Sequence, residues 1–103
     1  MDALEERAAY VAERLGEVSN AKRLLLLCHL AKLEADGGSG EASVGELQGV
    51  VGLSQSALSQ HLARLRAADM VATRREGQVI HYRLADDETR ALIMALYTIF
   101  CAN

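Results

Sequence analysis

The hydrophobic pattern of the chain changes its period once, and this change constrains the fold more than any other feature. Up to residue 68 the apolar residues recur every three or four positions, as Leu58, Leu62 and Leu65 do, which is the spacing of one face of an α-helix. Between Val71 and Leu84 they alternate with polar residues, which is typical of two β-strands. The sequence therefore predicts a mainly α (α+β) fold with one β-hairpin.

Capping residues and glycines divide the helical part into segments. The pattern predicts five helices, which cover residues 2–18, 21–33, 43–51, 55–68 and 86–101. The glycine-rich and acidic stretch 34–42 predicts a flexible surface loop. A short turn after Gly52 joins the third and fourth helices, so residues 43–68 form a helix-turn-helix. Glu76-Gly77-Gln78 joins the two strands of the two-stranded hairpin over 71–84.

Length and motifs exclude several classes of protein. A chain of 103 residues can bury one hydrophobic core without a metal or disulfide, so we expect a single domain over 1–103. The longest apolar run, Leu24–Cys28, is far shorter than the ~20 residues of a membrane span. The acidic start is unlike a signal peptide, and we expect a cytoplasmic protein without membrane contact. Motifs for phosphate binding, nucleophilic catalysis or metal binding are lacking, so we expect no enzyme, no catalytic residue and no cofactor.

The formal charge of −3 conceals an uneven distribution along the chain. Residues 1–53 carry five basic and nine acidic side chains, and residues 84–103 carry one basic and three acidic ones. Residues 54–83 carry five arginines against Asp69 and Glu76, a net charge of +3. Positive charge therefore gathers on the fourth helix and the hairpin, as expected of a surface that meets DNA phosphates.

The outward face of the fourth helix carries small and amide side chains instead of the Glu/Lys mixture of a solvated helix. Gln can hydrogen-bond adenine in bidentate fashion, and Ser can meet a base or a phosphate. The candidate DNA contacts are Ser54, Gln55, Ser56, Ser59, Gln60 and Arg64 on the fourth helix, and Arg74, Arg75 and Gln78 on the hairpin. The alternative interpretation is an ordinary polar helix face beside a solvated hairpin.

The run from Ser43 to Leu84, SVGELQGVVGLSQSALSQHLARLRAADMVATRREGQVIHYRL, resembles the winged helix-turn-helix of the ArsR family of bacterial repressors. The flanking helices match the arrangement of that family. The resemblance implies a homodimer whose first and last helices, 2–18 and 86–101, form the interface, with the hairpin 71–84 as the wing. It also implies a repressor that leaves its DNA operator when an inducer binds. Two such helix-turn-helix units related by a two-fold axis would contact an inverted repeat with half-sites about 34 Å apart.

Many members of that family sense metals, and their ligand positions can be compared with this sequence. Where those sensors carry Cys-x-Cys after Glu-Leu, this chain has Gln48 and Val50 after Glu46-Leu47. The other common site uses Asp and His on the last helix, and residues 86–101 contain no histidine. Borderline metals need several converging Cys or His ligands, so we expect no metal site.

Two cysteines, Cys28 in the second helix and Cys101 near the end of the last, are too few for a disulfide framework. Their placement, with LLLLCHL around Cys28, is similar to the paired cysteines of the SqrR/BigR-type reactive-sulfur sensors of the family. That resemblance implies that low-molecular-weight persulfides or related oxidants cross-link Cys28 and Cys101, through a disulfide or a longer sulfur bridge. The cross-link would weaken DNA binding.

Two rival functions remain open. In the first, both cysteines are inert, Cys28 as a buried small hydrophobe, and the protein is a redox-insensitive regulator or an anti-repressor that competes for a promoter. In the second, the winged-helix scaffold is a protein-interaction module that binds no DNA. Binding to duplex DNA that weakens linearly with the logarithm of salt would separate the DNA-binding functions from the second rival.

Overall fold

The computed structural model describes residues 2–101. Its helices are α1 (Ala3–Val18), α2 (Ala21–Ala35), α3 (Val44–Val51), α4 (Gln55–Ala67) and α5 (Asp87–Phe100), and its strands are β1 (Ala42–Ser43), β2 (Val71–Glu76) and β3 (Val79–Leu84). These elements confirm the predicted five helices and the winged helix-turn-helix fold. None of the helices in the described range is long and apolar enough to cross a membrane.

Polar side chains determine where the helices begin. The first amide groups of a helix have no partner inside it, and a side-chain oxygen at the preceding residue can accept from them. Asn20 does this for α2, Ser43 for α3 and Ser54 for α4. Asp2 and Asp86 cap α1 and α5 with their carboxylates. Each helix therefore begins at a position that the local sequence specifies.

The predicted two-stranded hairpin is present as β2 and β3, and a third strand, β1, that the sequence did not predict joins them in the sheet. β1 pairs antiparallel with β3, with Ala42 opposite Tyr82 and Ser43 opposite His81, so that the strand order is β1-β3-β2. Ala42 is fully buried, which anchors the end of a segment that the sequence predicts as loop. A strand of two residues is too short to show the alternation by which strands are recognised.

The connection between α2 and β1 is also shorter and tighter than the predicted loop over 34–42. α2 continues to Ala35. Gly40 is buried against the end of this helix with a φ of +76°, and a Cβ atom there would lie 2.6 Å from the Cγ atom of Glu34. The left-handed backbone and the close approach both require glycine at this position.

At the tip of the wing, the turn is one residue shorter than the predicted Glu76-Gly77-Gln78. Glu76 belongs to β2 and pairs with Val79 of β3. Gly77 and Gln78 alone form the turn, and Gly77 has a φ of +61°. Glycine at the first position of a two-residue turn matches the right-handed twist of the two strands.

α2 lies at the centre of the hydrophobic core, as its nearly all-apolar middle predicts. Leu26, Leu27 and Leu30 have no exposed surface. The buried side chains around them come from the other helices and the sheet, and they are Val18, Ala42, Leu47, Val51, Leu58, Leu62, Leu65, Met70, Val71, Leu84 and Ile93. The stripe of α4 and the wing strands are therefore oriented by their packing around α2.

Two neighbouring leucines of α2 provide a test of this arrangement. Leu26→Ala should lower the free energy of unfolding by about 2–5 kcal/mol, because it removes a fully buried side chain from a close-packed core. Leu25→Ala is the matched control, since Leu25 is 46% exposed, and it should cost much less. Urea unfolding followed by circular dichroism measures both. Equal losses in the two variants would contradict the proposed orientation of α2.

Candidate nucleic-acid interface and thiol pair

α4 turns its polar face outward, as predicted. Its apolar stripe of Leu58, Leu62 and Leu65 is buried, which leaves the opposite side in solvent. The exposed side chains there include Gln55, Ser56, Ser59 and Gln60. Within residues 2–101 none of these four side chains is hydrogen-bonded to the protein. Their amide and hydroxyl groups are therefore available to an external partner.

Ser54 has a different role in the protein alone. Its Oγ atom accepts a hydrogen bond from the backbone amide of Ala57 at 3.2 Å, which caps α4. The hydroxyl hydrogen can still be donated to another group. Ser54 thus lies at the amino end of α4, where the helix dipole favours an anion such as a phosphate.

Arg64, another predicted DNA contact, is bound to a carboxylate in this structure. Its Nε and Nη2 atoms donate to the two carboxylate oxygens of Glu17 at 3.0 and 3.1 Å. These hydrogen bonds, aided by the positive charges of Arg64 and Arg23, hold the pKa of Glu17 below its usual value. Glu17 belongs to α1, so the pair ties the second half of α4 to α1.

The three predicted contacts on the wing differ from one another. Arg74 donates from Nε and Nη2 to the carboxylate of Glu41 at 2.9 to 3.2 Å, and these bonds hold the pKa of Glu41 below its usual value. Arg75 donates from Nε to the carbonyl oxygen of Gly77 at 3.0 Å. Gln78 is exposed in the turn. The tip of the wing therefore presents Arg75 and Gln78, whereas Arg74 is held by the segment that precedes β1.

Arg14 joins three elements although its position in an amphipathic helix predicts a solvated side chain. The side chain is only 11% exposed. Its Nη1 atom donates to the carbonyl oxygen of Ala68 at 3.2 Å, and Nη2 donates to the carboxylate of Asp86 at 3.2 Å and to Thr89 Oγ1 at 2.6 Å. Arg14 thus connects α1 to the end of α4 and the start of α5.

Arg23 makes a second link to α4, and it is buried. Its Nε atom donates to the carbonyl oxygen of Glu17 at 2.6 Å, and Nη1 lies 3.3 Å from Nδ1 of His61. A guanidinium can only donate, so His61 Nδ1 is the acceptor in this contact. Neither link is predictable from the sequence, because Ala68 lies 54 positions from Arg14 and His61 lies 38 positions from Arg23.

Large apolar side chains are exposed on α1 and α5, the helices predicted to form a dimer interface. Ile99 and Phe100 are 68% and 78% exposed. The other exposed apolar residues on these helices are Leu4, Tyr10, Leu15, Met94 and Tyr97. Tyr10 of α1 donates to the carboxylate of Glu88 of α5 at 2.8 Å, so these exposed apolar side chains lie on neighbouring helices, as is typical of a protein interface.

The two thiols lie in different environments. Cys28 is half-buried, and burial raises the pKa of its thiol, with a smaller contribution from the nearby charge of Cys101. Cys101 is exposed and caps the carboxyl end of α5. Cys28 also lies on the wall of a largely apolar groove of about 370 Å³ between α2 and α5, which Met94 and Tyr97 line from the other side. The fold therefore places Cys28 near enough to Cys101 for the charge of Cys101 to contribute to the raised pKa of Cys28.

The positions at which related sensors bind metal hold other side chains here. The amide Nε2 of Gln48 donates to the carbonyl oxygen of Leu53 at 3.2 Å, and Val50 is exposed. Among residues 2–101 no three His, Cys, Asp or Glu side chains are grouped as metal ligands.

Comparison with known proteins gives one family. The family profile described as "Bacterial regulatory protein, arsR family" matches residues 20–73, more than half of the chain. The chain is 47% identical over 102 residues to the biofilm growth-associated repressor of Agrobacterium fabrum, covering 99% of this chain and 81% of that protein. It is 41% identical over 98 residues to the transcriptional activator HlyU of Vibrio cholerae, covering 95% and 84% of the two chains.

Among solved structures, the transcriptional repressor BigR from Xylella fastidiosa is similar to this protein. The two chains superpose with a TM-score of 0.82 at 44% sequence identity, covering 97% of this chain and 95% of that one. The agreement includes the helix-turn-helix and the wing, because so little of either chain lies outside the superposition.

The difference between the two thiols predicts their order of reaction. Iodoacetamide should alkylate Cys101 several times faster than Cys28 at neutral pH, because the thiolate is the nucleophile and burial disfavours both access and ionisation at Cys28. Since the pKa of Cys28 is raised, its alkylation should accelerate at a higher pH than that of an ordinary cysteine. Mass spectrometry of peptides from the wild type measures both rates, and Cys28→Ser and Cys101→Ser variants verify the assignment. Faster labelling of Cys28 would contradict the described environments.

Proposed function

The chain belongs to the arsR family of bacterial regulatory proteins, and from that premise we propose that it is a homodimeric repressor with a thiol switch. As a member of this family it is a DNA-binding transcriptional regulator with a winged helix-turn-helix, and not an enzyme. In our proposal it binds an inverted-repeat operator in the cytoplasm. It releases the operator when a persulfide or related oxidant cross-links Cys28 and Cys101.

The observation that carries the DNA-binding part is the exposed polar face of α4. We assign Gln55, Ser56, Ser59 and Gln60 to base edges in the major groove, since these side chains have no partner among the described residues and are short enough for close approach. Ser54 and the arginines, by contrast, would bind phosphates and set the register without reading the sequence. The phosphate contacts are Ser54, Arg64, Arg74 and Arg75, with Gln78 at the wing tip.

The exposed apolar surface of α1 and α5 supports the dimer. Burying side chains as exposed as Ile99 and Phe100 removes apolar area from water, which stabilises association by roughly 25 cal/mol per Å². A two-fold axis would relate the two copies of α4, so that each would contact an equivalent half-site. The operator would then be an inverted repeat with half-sites about one DNA turn apart.

The thiol switch proceeds by a sulfur transfer to Cys101 followed by a displacement that forms the disulfide. The exposed Cys101 thiolate attacks the outer sulfur of a persulfide RSSH, which releases the thiol RSH and leaves a persulfide on Cys101. The Cys28 thiolate then attacks the inner sulfur of that group, forming the disulfide and expelling hydrosulfide. Both cysteines are oxidised by one electron each, and the sulfane sulfur is reduced to sulfide. A bridge that keeps extra sulfur atoms would consume more persulfide and would span a longer gap.

One relative favours a second candidate function. The Vibrio cholerae relative is named a transcriptional activator, so this chain could act on transcription by displacing another repressor from a shared promoter. In that case the cysteines need not respond to oxidants. An interaction module without DNA affinity is the remaining alternative, and absence of binding to any duplex at low salt would favour it.

Two substitutions separate base recognition from phosphate binding. Gln60→Ala should relax base preference at one operator position by about 1–3 kcal/mol, because it removes a bidentate contact. Arg75→Ala should weaken binding to all duplexes alike and reduce the slope of log affinity against log salt by about 0.9. Fluorescence anisotropy on an operator selected from a random duplex library, and on its single-base variants, measures both effects. An equal loss of base preference in the two variants would refute this division of roles.

The thiol switch is tested with single cysteine variants. Cys28→Ser and Cys101→Ser should each bind the operator like the wild type and lose release by persulfide, because a bridge needs both sulfur atoms. Mass spectrometry after separate treatment with persulfide, peroxide and disulfide should find the added mass between Cys28 and Cys101. The untreated wild type is the control. A Cys101→Ser protein that persulfide still releases from DNA would defeat the paired-thiol mechanism.

A further inference from the structure

Carboxylates from outside the DNA-binding elements hold two of the five arginines between residues 54 and 83. The pairs are Arg64 with Glu17 of α1, and Arg74 with Glu41 of the segment before β1. The other three arginines, Arg66, Arg75 and Arg83, have no carboxylate within 4.0 Å in the described part of the chain. Of the two arginines that are paired with these carboxylates, Arg64 belongs to α4 and Arg74 to the wing.

We propose that Glu17 and Glu41 occupy the guanidinium groups of Arg64 and Arg74 until DNA phosphates replace them, and thereby lower the affinity for non-specific DNA. The inference rests on the proposed function, in which both arginines contact phosphates. It assigns to two acidic residues outside the helix-turn-helix and the wing a role in setting the affinity for DNA phosphates.

The geometry of both pairs suits such an exchange. Each guanidinium donates two or more hydrogen bonds to one carboxylate, at 2.9 to 3.2 Å, which is the fork arrangement that it also forms with phosphate. The side chains of Arg64 and Arg74 are 59% and 47% exposed, whereas those of Glu17 and Glu41 are each 16% exposed. The arginines can therefore turn toward a phosphate in solvent while the carboxylates remain in place.

The charges indicate what the exchange does to binding. Residues 54–83 carry a net charge of +3, and pairing two arginines with Glu17 and Glu41 reduces the effective charge to +1. Both carboxylates stay ionised near neutral pH, because the hydrogen bonds from their arginines hold their pKa values low. Non-specific binding depends almost entirely on phosphate contacts. The competition lowers both affinities at their shared phosphate contacts, so non-specific binding becomes weak whereas operator binding retains its base contacts.

The test compares charge-removing variants on a duplex without an operator. Glu17→Gln and Glu41→Gln should each raise non-specific affinity about fivefold near 0.15 M salt and steepen the slope of log affinity against log salt by about 0.9, since each releases one arginine toward a phosphate. After Glu41→Gln, Arg74 keeps only a longer contact of 3.9 Å with the exposed carboxylate of Glu76. The double variant should show both increments. Glu13→Gln is the matched control, because it removes the same charge from an exposed position one turn earlier on α1.

A second comparison tests whether Glu17→Gln changes DNA affinity through Arg64. In an Arg64→Gln background, Glu17→Gln should no longer alter the affinity or the slope. The proposal is overturned if Glu17→Gln and Glu41→Gln behave like Glu13→Gln, if they weaken binding, or if the gain from Glu17→Gln survives in the Arg64→Gln background. A wild-type protein without affinity for any duplex at low salt would overturn the proposed function itself, whereas normal operator binding with unchanged slopes would overturn this inference alone. Thermal unfolding of every variant verifies that the fold is intact.

Discussion

The burial of α2 is the constraint on which the rest of the structure depends. Leu26, Leu27 and Leu30 are fully enclosed, and α2 contacts each of the other helices and β3. The other helices each have one apolar stripe, so they can bury that stripe only against a shared partner. Because α4 is one of these helices, the direction of its polar face follows from how Leu58, Leu62 and Leu65 pack around α2. The direction of the surface proposed to meet DNA is thus a consequence of how the core packs.

Hydrogen bonds from two arginines hold the helices together at the edge of the apolar core. Arg14 binds the carbonyl oxygen of Ala68 at the end of α4 and the cap of α5, and Arg23 binds His61 in the middle of α4. A largely buried guanidinium is costly to leave without partners, so these contacts permit few relative positions of α1, α2 and α4. A change in the position of α1, a helix of the proposed dimer surface, would therefore be transmitted to α4.

The elements of the fold could be predicted from the sequence because each follows a local rule. The buried stripe of α4, the capping serines and the change of period at Val71 all depend on residues within a few positions of one another. Pairings between distant residues were missed. A two-residue strand is too short to show alternation of apolar and polar residues. An arginine on the polar face of an amphipathic helix is expected to face water, and the sequence pattern is the same when it binds the carbonyl oxygen of Ala68 instead, as Arg14 does.

In the candidate site, too, the features that depend on local sequence could be predicted and those that depend on distant residues could not. The exposure of Gln55, Ser56, Ser59 and Gln60 follows from helical periodicity, and the structure agrees with it. The pairing of Arg64 and Arg74 does not follow from the sequence, because charge counted by segment assigned Glu17 and Glu41 to an acidic region unrelated to the basic one. The ion pairs join positions 47 and 33 residues apart, which only the tertiary fold brings together.

The placement of the thiols connects the core to the proposed dimer surface. Cys28 follows Leu27, which is fully buried, and Cys101 follows Phe100, the most exposed of the large apolar side chains described. A covalent bridge between them would join α2 to the end of α5. Because the fully buried leucines of α2 hold it in the core whereas the end of α5 is exposed, the bridge would displace α5 more than α2. The start of α5 shares Arg14 with the end of α4, so such a displacement would act on both the proposed dimer surface and the helix that we propose to face DNA.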